Sequence, residues 1–160
     1  MLILTLGNEL LRQKAEKIEK IDEEIENISR QMFDVLINDK GIGVAGPQVG
    51  FMKRIFVTHI EGDDKRVFIN PSILETSDKT SKYEEGCLSV PGIYINVTRS
   101  ETIKIQAWNE KGRPFTLEAG GLLARVILHE YDYLEGVLFL DRVSEKKREK
   151  LVAKYEKAKT

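Results

Sequence analysis

The chain has 160 residues, with 25 Lys and Arg against 26 Asp and Glu, a formal net charge of -1. That balance gives no overall field to recruit nucleic acid or a membrane surface, so specific DNA and a bilayer are not expected partners. A hydrophobic share of 41% at this length suits one ordinary globular core, and the expectation is a single domain over 1–160. The lone Cys87 excludes an internal disulfide and suits a reducing compartment.

The N-terminal run Met1-Leu2-Ile3-Leu4-Thr5-Leu6 is apolar, but it has no basic leader and meets Gly7-Asn8-Glu9 before a signal-peptide core would finish. No later stretch approaches a membrane span, and a cytoplasmic location is expected. Asp22 predicts the N-cap of an amphipathic helix, because Ile25, Ile28, Met32, Val35 and Leu36 recur at three-four spacing until Gly41. Strand-like segments follow at 54–59, at 66–70 ending on Pro71, at 93–98 and at 102–108, where Ile103, Ile105 and Ala107 alternate with Lys104 and Gln106. Lys111-Gly112 marks a turn, with 114–117 returning as a hairpin partner. Gly120-Gly121 opens a long apolar helix carrying His129, and a charged helix from about Glu145 closes the chain. The expected class is α+β, mainly antiparallel sheet around that central helix, with one helix near each end.

The central helix carries His129-Glu130-Tyr131-Asp132-Tyr133, the H-E-x-x-H pattern of metal hydrolases with its last histidine replaced by tyrosine. Residues i and i+4 share a helix face, so His129 and Tyr133 aim at one point while Glu130 sits one step round, placed to act as a base. Leu122, Arg125 and Val126 lie on the same face and would wall a pocket. On its own this face also reads as core packing around a satisfied histidine, the commoner arrangement for a lone His beside a Glu.

Two further stretches carry chemistry. Cys87 lies in Glu84-Glu85-Gly86-Cys87-Leu88-Ser89-Val90-Pro91-Gly92, where the glycine permits a tight turn and the Leu88 amide can point at a ligand; the bland reading is a small buried hydrophobe. Gly41-Ile42-Gly43-Val44-Ala45-Gly46-Pro47-Gln48 allows close backbone approach and supplies a glutamine amide able to donate to an oxyanion. It fails as a phosphate loop, because no Lys-Ser/Thr follows and no helix N-terminus is indicated, and taken alone it reads as a flexible loop.

Together these three stretches resemble the peptide deformylase family, type I-like and bacterial, in order and spacing. The first matches G-hydrophobic-G-hydrophobic-A-A-x-Q with Gly46 where a second alanine is usual; Glu85-Gly86-Cys87-Leu88-Ser89 matches E-G-C-L-S; His129-Glu130-Tyr131-Asp132 matches all but the end of H-E-x-x-H. The likeness extends to Val97-Thr98-Arg99 and to Gly136-Val137-Leu138-Phe139.

The resemblance implies one divalent ion, Fe2+ with Zn2+ or Ni2+ as substitutes, held by Cys87, His129 and, at the altered position, Tyr133. A thiolate with imidazole suits iron or zinc far better than magnesium or calcium. It implies Glu130 as acid-base, with Gln48 and the Leu88 amide as oxyanion donors. Ile42, Gly43, Leu122 and Val126 would receive the side chain of an N-terminal formylmethionine on a nascent protein, and formate would be released. Tyr133 leaves three possibilities: the ion moves outward to meet it, the ring turns away and a second water fills the gap, or Asp132 fills it. Two readings follow, a working deformylase, or a catalytically weak or inactive relative that keeps a formyl-peptide-binding pocket. A zincin peptidase fits poorly, since it needs both helix histidines and has no use for the Cys87 stretch. His59 is expected at an edge or facing solvent. From Ser144 to Thr160 seven basic residues face three acidic ones, which predicts a solvated helix face or, as a second reading, a contact with ribosomal RNA.

Overall fold

The structure, a computed structural model, describes residues 1–159. The first long helix, α1, spans Glu23–Asn38, and the Asp22 side chain caps it by accepting from the Ile25 amide at 3.2 Å. Its apolar stripe, including Ile25, Met32 and Leu36, is buried, and the chain leaves the helix through Lys40, whose φ of 56° breaks the helical path. Seven strands follow in two sheets: β1 (Gly43–Ala45), β2 (Ile55–Thr58), β3 (Arg66–Thr76), β4 (Thr80–Glu85), β5 (Ile95–Ser100), β6 (Thr102–Trp108) and β7 (Pro114–Gly120). Helix α2 (Gly121–Leu134) comes next, and α3 (Glu145–Lys159) ends the described chain.

An antiparallel five-stranded sheet runs in the order β1-β2-β3-β6-β7, and β4 pairs with β5 in a separate two-stranded sheet. Strand β2 is buried along its whole length because both faces of the larger sheet are covered. Successive strand residues point to opposite faces. Ile55, Val57 and Ile69 therefore pack in one cluster with Met32 and Leu36 of α1. Phe56 and Phe68, paired across β2 and β3 with rings 4.6 Å apart, join the other cluster with Ala124, Ile127 and Leu134 of α2. Burying each such phenylalanine contributes roughly 1.5–3 kcal/mol, which clamps α2 against the sheet. The α+β architecture expected from the sequence is the one observed, with α2 at its centre.

Three features depart from expectation by more than a residue or two at a strand end. Strand β3 continues through Pro71 to Thr76, because Asn70 turns to a φ of 48° and the pairing with β6 shifts register between Ile69 and Ser72. A proline is tolerated at such an irregularity, where its missing N–H leaves no ladder bond unmade. The Asn70 side chain meanwhile holds the N-terminal segment, accepting from the Ile18 amide at 2.9 Å and donating to the Ile18 carbonyl at 2.8 Å. Strand β4 is the second difference; it escapes the sequence pattern because nearly all of its residues are exposed or half-buried. Third, the glycine-rich stretch is no loose loop: it forms β1 and then a short 3-10 turn over Gly46–Val49.

Gly46 sits where backbone crowds backbone. A Cβ there would lie 2.5 Å from the Phe51 carbonyl oxygen and 2.8 Å from that of Lys53. Gly46→Ala, the substitution toward the family pattern, is therefore expected to lower stability by about 1–3 kcal/mol, read from urea unfolding; an unchanged midpoint would mean the turn has room to spare.

Candidate active site

Three segments converge. Helix α2 presents His129, Glu130 and Tyr133; the turn after β4 presents Cys87, Leu88 and Ser89; the 3-10 turn after β1 presents Gln48. Helical spacing brings His129 and Tyr133 to one side, and the packing of α2 on the sheet turns that side toward Cys87. The Cys87 Sγ lies 2.6 Å from the Tyr133 Oη, and the Ser89 amide donates to the same sulfur at 3.4 Å. The Gln48 carboxamide is fixed at both ends, its Oε1 accepting from the Ala45 amide at 2.8 Å and its Nε2 donating to the Ser89 hydroxyl at 3.1 Å. That leaves Nε2 3.6 Å from the Cys87 sulfur. Among the described residues the Leu88 amide has no protein acceptor.

His129 is oriented from behind. Its Nδ1 lies 2.8 Å from Glu85 Oε1, which leaves the other ring nitrogen for the side of the site where Cys87 sits. Glu85 is itself held in a buried basic fork, accepting from Arg99 at 2.6 and 3.0 Å and from Arg125 at 2.6 Å. Burial alone would raise the Glu85 carboxyl, but its hydrogen bonds with His129 and Arg99 outweigh burial and bring it down to about 2. For His129, burial opposes the charged form, yet contacts with Cys87 and Glu85 prevail and push the imidazole up to about 10. A cation entering here competes with a proton.

Glu130 is the opposite case. It is buried, its Oε1 has no hydrogen-bond partner, and burial pushes its carboxyl up to about 7. Gly43 makes room for it: a Cβ at that position would meet Glu130 Oε2 and Val126 Cγ1, each at 2.8 Å. A cavity of about 580 Å³ opens beside these groups, walled by Gly43, Val126 and Glu130, with Ile42 and Leu122 half exposed at its mouth. The four apolar or glycine positions anticipated for a substrate slot thus border a common space.

Other expectations resolve differently. Asp132, beside the altered motif position, is engaged elsewhere, accepting from Arg99 at 3.0 Å and from Arg142 at 2.6 and 3.1 Å. The Tyr133 ring does not turn away; it is fully buried with its oxygen on the Cys87 sulfur, and burial together with Cys87 pushes its phenol above the ordinary range. Arg125 borders the cavity, but its guanidinium is committed to Glu85, Ser81 and the Val97 carbonyl. His59 follows β2, half-buried and away from the cavity lining. Sequence reasoning missed the roles of Glu85 and Ser89; the acid beside Gly86-Cys87 and the inward alternation of Ile95, Val97 and Arg99 on β5 were the available signals.

The donor set fits a metal. A carboxylate behind one imidazole nitrogen is the usual support of a metal-binding histidine, a cysteine sulfur lies at its front, and an unpartnered carboxyl waits alongside. Among the described residues no three His, Cys, Asp or Glu side chains form a ligand group, and the Tyr133 oxygen lies against the Cys87 sulfur at 2.6 Å.

Such a site on such a fold defines a hydrolase-type centre, and the comparisons place it. The polypeptide deformylase family model matches residues 1–149. A peptide deformylase of Neisseria meningitidis is 45% identical over 157 residues, covering 97% of this chain and 93% of the relative. One from Prochlorococcus marinus is 45% identical over 148 residues, covering 90% of this chain and 74% of the relative. The crystal structure of a Legionella pneumophila peptide deformylase superposes with a TM-score of 0.93 at 39% identity, covering 99% of this chain and 94% of that one. A Synechococcus elongatus peptide deformylase, solved in complex with actinonin, gives 0.92 at 41%, covering 98% and 86%. The chain belongs to the peptide deformylase family.

Glu85 generates a pH prediction. Its carboxyl is held below the unfolded value, so its contribution is complete above about pH 4.3 and is lost as pH falls toward about 2. Metal-free Glu85→Gln should lose this acid slope and, with Arg125 left without an ion-pair partner and Arg99 left with Asp132 alone, should be destabilised at pH 7 by about 3–5 kcal/mol. Urea unfolding at several pH values reads both effects, and parallel wild-type and variant curves below pH 4 would contradict them.

Proposed function

We propose that this chain is a working, type I-like bacterial peptide deformylase, a single-domain metal-dependent hydrolase that removes the formyl group from the N-terminal formylmethionine of nascent proteins in the cytoplasm. The observation that carries the reading is the buried, unpartnered Glu130 carboxyl next to His129 in a site shared with Cys87. Cys87, His129 and Tyr133 would hold one divalent ion, Fe2+ or its substitutes Zn2+ and Ni2+. When bound, that ion supplies Lewis acidity, polarising the formyl carbonyl and making water nucleophilic near neutral pH.

The chain's own residues do the rest. Ile42, Gly43, Leu122 and Val126 receive the methionine side chain and set the formyl group beside Glu130. Glu130 takes a proton from the attacking water as its oxygen bonds to the formyl carbon. A carboxyl poised at about 7 is suited both to accept that proton and to return it. The carbonyl oxygen, as it becomes anionic, accepts from Gln48 Nε2 and the Leu88 amide. Removing one such donor commonly costs about 100–1000-fold in kcat. Collapse breaks the C–N bond, the proton on Glu130 passes to the leaving amine, and formate and a free N-terminus result.

Tyr133 favours a second reading, a weak or inactive relative that keeps the formyl-peptide pocket, since it replaces a nitrogen donor with a longer side chain bearing a hard oxygen. One paired experiment separates the two: metal content and formate release from formyl-Met-Ala-Ser under anaerobic conditions, for wild type and variants. Glu130→Ala should abolish turnover with the fold intact; surviving activity would remove Glu130 as the base. Tyr133→His should raise metal occupancy and turnover at least tenfold, and an unchanged rate with wild type already metal-saturated would contradict this account of Tyr133. Measurable wild-type turnover supports the first reading, and peptide binding without it supports the second.

The basic α3 segment is the proposed contact with ribosomes. Deleting residues 146–160 should abolish salt-sensitive co-sedimentation with ribosomes; sedimentation indifferent to the deletion would remove the contact.

A further inference from the structure

Tyr133 changes the charge balance of the site. A cysteine-histidine-histidine donor set brings one anion to a metal; cysteine, histidine and tyrosinate bring two. With a divalent ion the altered set is electrically neutral, and with a trivalent ion it carries one positive charge.

The outer ring sets three guanidiniums, Arg99, Arg125 and Arg142, against the two carboxylates of Glu85 and Asp132, and each of the three is engaged there rather than with Tyr133. Glu130 has no ion-pair partner among the described residues and lies within the cavity wall. Tyr133 is fully buried, and its oxygen has the Cys87 sulfur as its hydrogen-bond partner. In a water-poor interior each of these charges acts with little screening. A hard oxygen donor also suits the harder, more highly charged form of a metal.

Resting on the metal-site reading above, we propose that the Tyr133 oxygen, as a donor beside Cys87 and His129, shifts bound iron toward its trivalent state relative to a histidine at that position. On oxidation one electron leaves iron for an external one-electron acceptor, a mediator dye in the assay below. The phenol proton passes to solvent as the oxygen bonds to iron.

The test loads wild type, Tyr133→His and Tyr133→Phe with ferrous iron in the absence of oxygen and titrates each against mediator dyes, recording the visible spectrum. Wild type should favour ferric over ferrous iron at least tenfold more than Tyr133→His, a midpoint lower by about 59 mV or more for this one-electron couple. Oxidised wild type should show a phenolate-to-iron charge-transfer band that Tyr133→Phe lacks. Equal midpoints in wild type and Tyr133→His, an oxidised spectrum unchanged in Tyr133→Phe, or failure of wild type to bind iron would each overturn the proposal. Formate release by zinc-loaded wild type is measured in parallel. A ferric band without zinc-supported turnover would defeat the hydrolase reading and leave this one standing; turnover with equal midpoints would do the reverse.

Discussion

The Glu85 carboxylate is the constraint on which the site depends. Two arginines from different elements, Arg99 on β5 and Arg125 on α2, converge on it, and it takes the Nδ1 side of His129. One buried anion thereby ties the small sheet, the central helix and the cysteine turn into a fixed geometry. Breaking a buried ion pair by deleting one partner costs several kcal/mol because the survivor is stranded. The same strandedness makes the arrangement specific: among the described residues Arg125 has no other ion-pair partner, and Arg99 has only Asp132.

Around that anchor the protein treats its acids in opposite ways. Glu85 and Asp132 are saturated with guanidinium contacts, whereas Glu130, buried on the same helix, is given none at Oε1. A carboxyl left in that condition is unfavourable for folding, and burial moves it toward neutrality near pH 7. Glu85 is locked in the charged form, while the carboxyl in the cavity wall remains free to change state. Gly43 takes part in the same division, because any side chain there would collide with Glu130.

Much of this was legible in the residues. The Asp22 cap and three-four spacing located α1, the alternation of Ile103, Ile105 and Ala107 located β6, and the three motifs located the groups that meet in space. Illegible parts had physical reasons. Pro71 reads as a strand end unless one knows that Asn70 at positive φ and a register shift absorb it. Strand β4 buries so little that no apolar pattern marks it. Glu85 draws its partners from 14, 40 and 44 residues away, and nothing local announces them. For Tyr133 the motif did not fix where the ring lies; packing buries it with its oxygen on the Cys87 sulfur.

The central claim is that one thiol, one imidazole and one phenol close on a common cation. X-ray absorption at the zinc edge of zinc-loaded protein tests it most directly. The account predicts one sulfur scatterer at about 2.3 Å, nitrogen or oxygen neighbours at about 2.0 Å, and multiple-scattering intensity from a single imidazole. A shell without sulfur, or with two imidazoles, would contradict it.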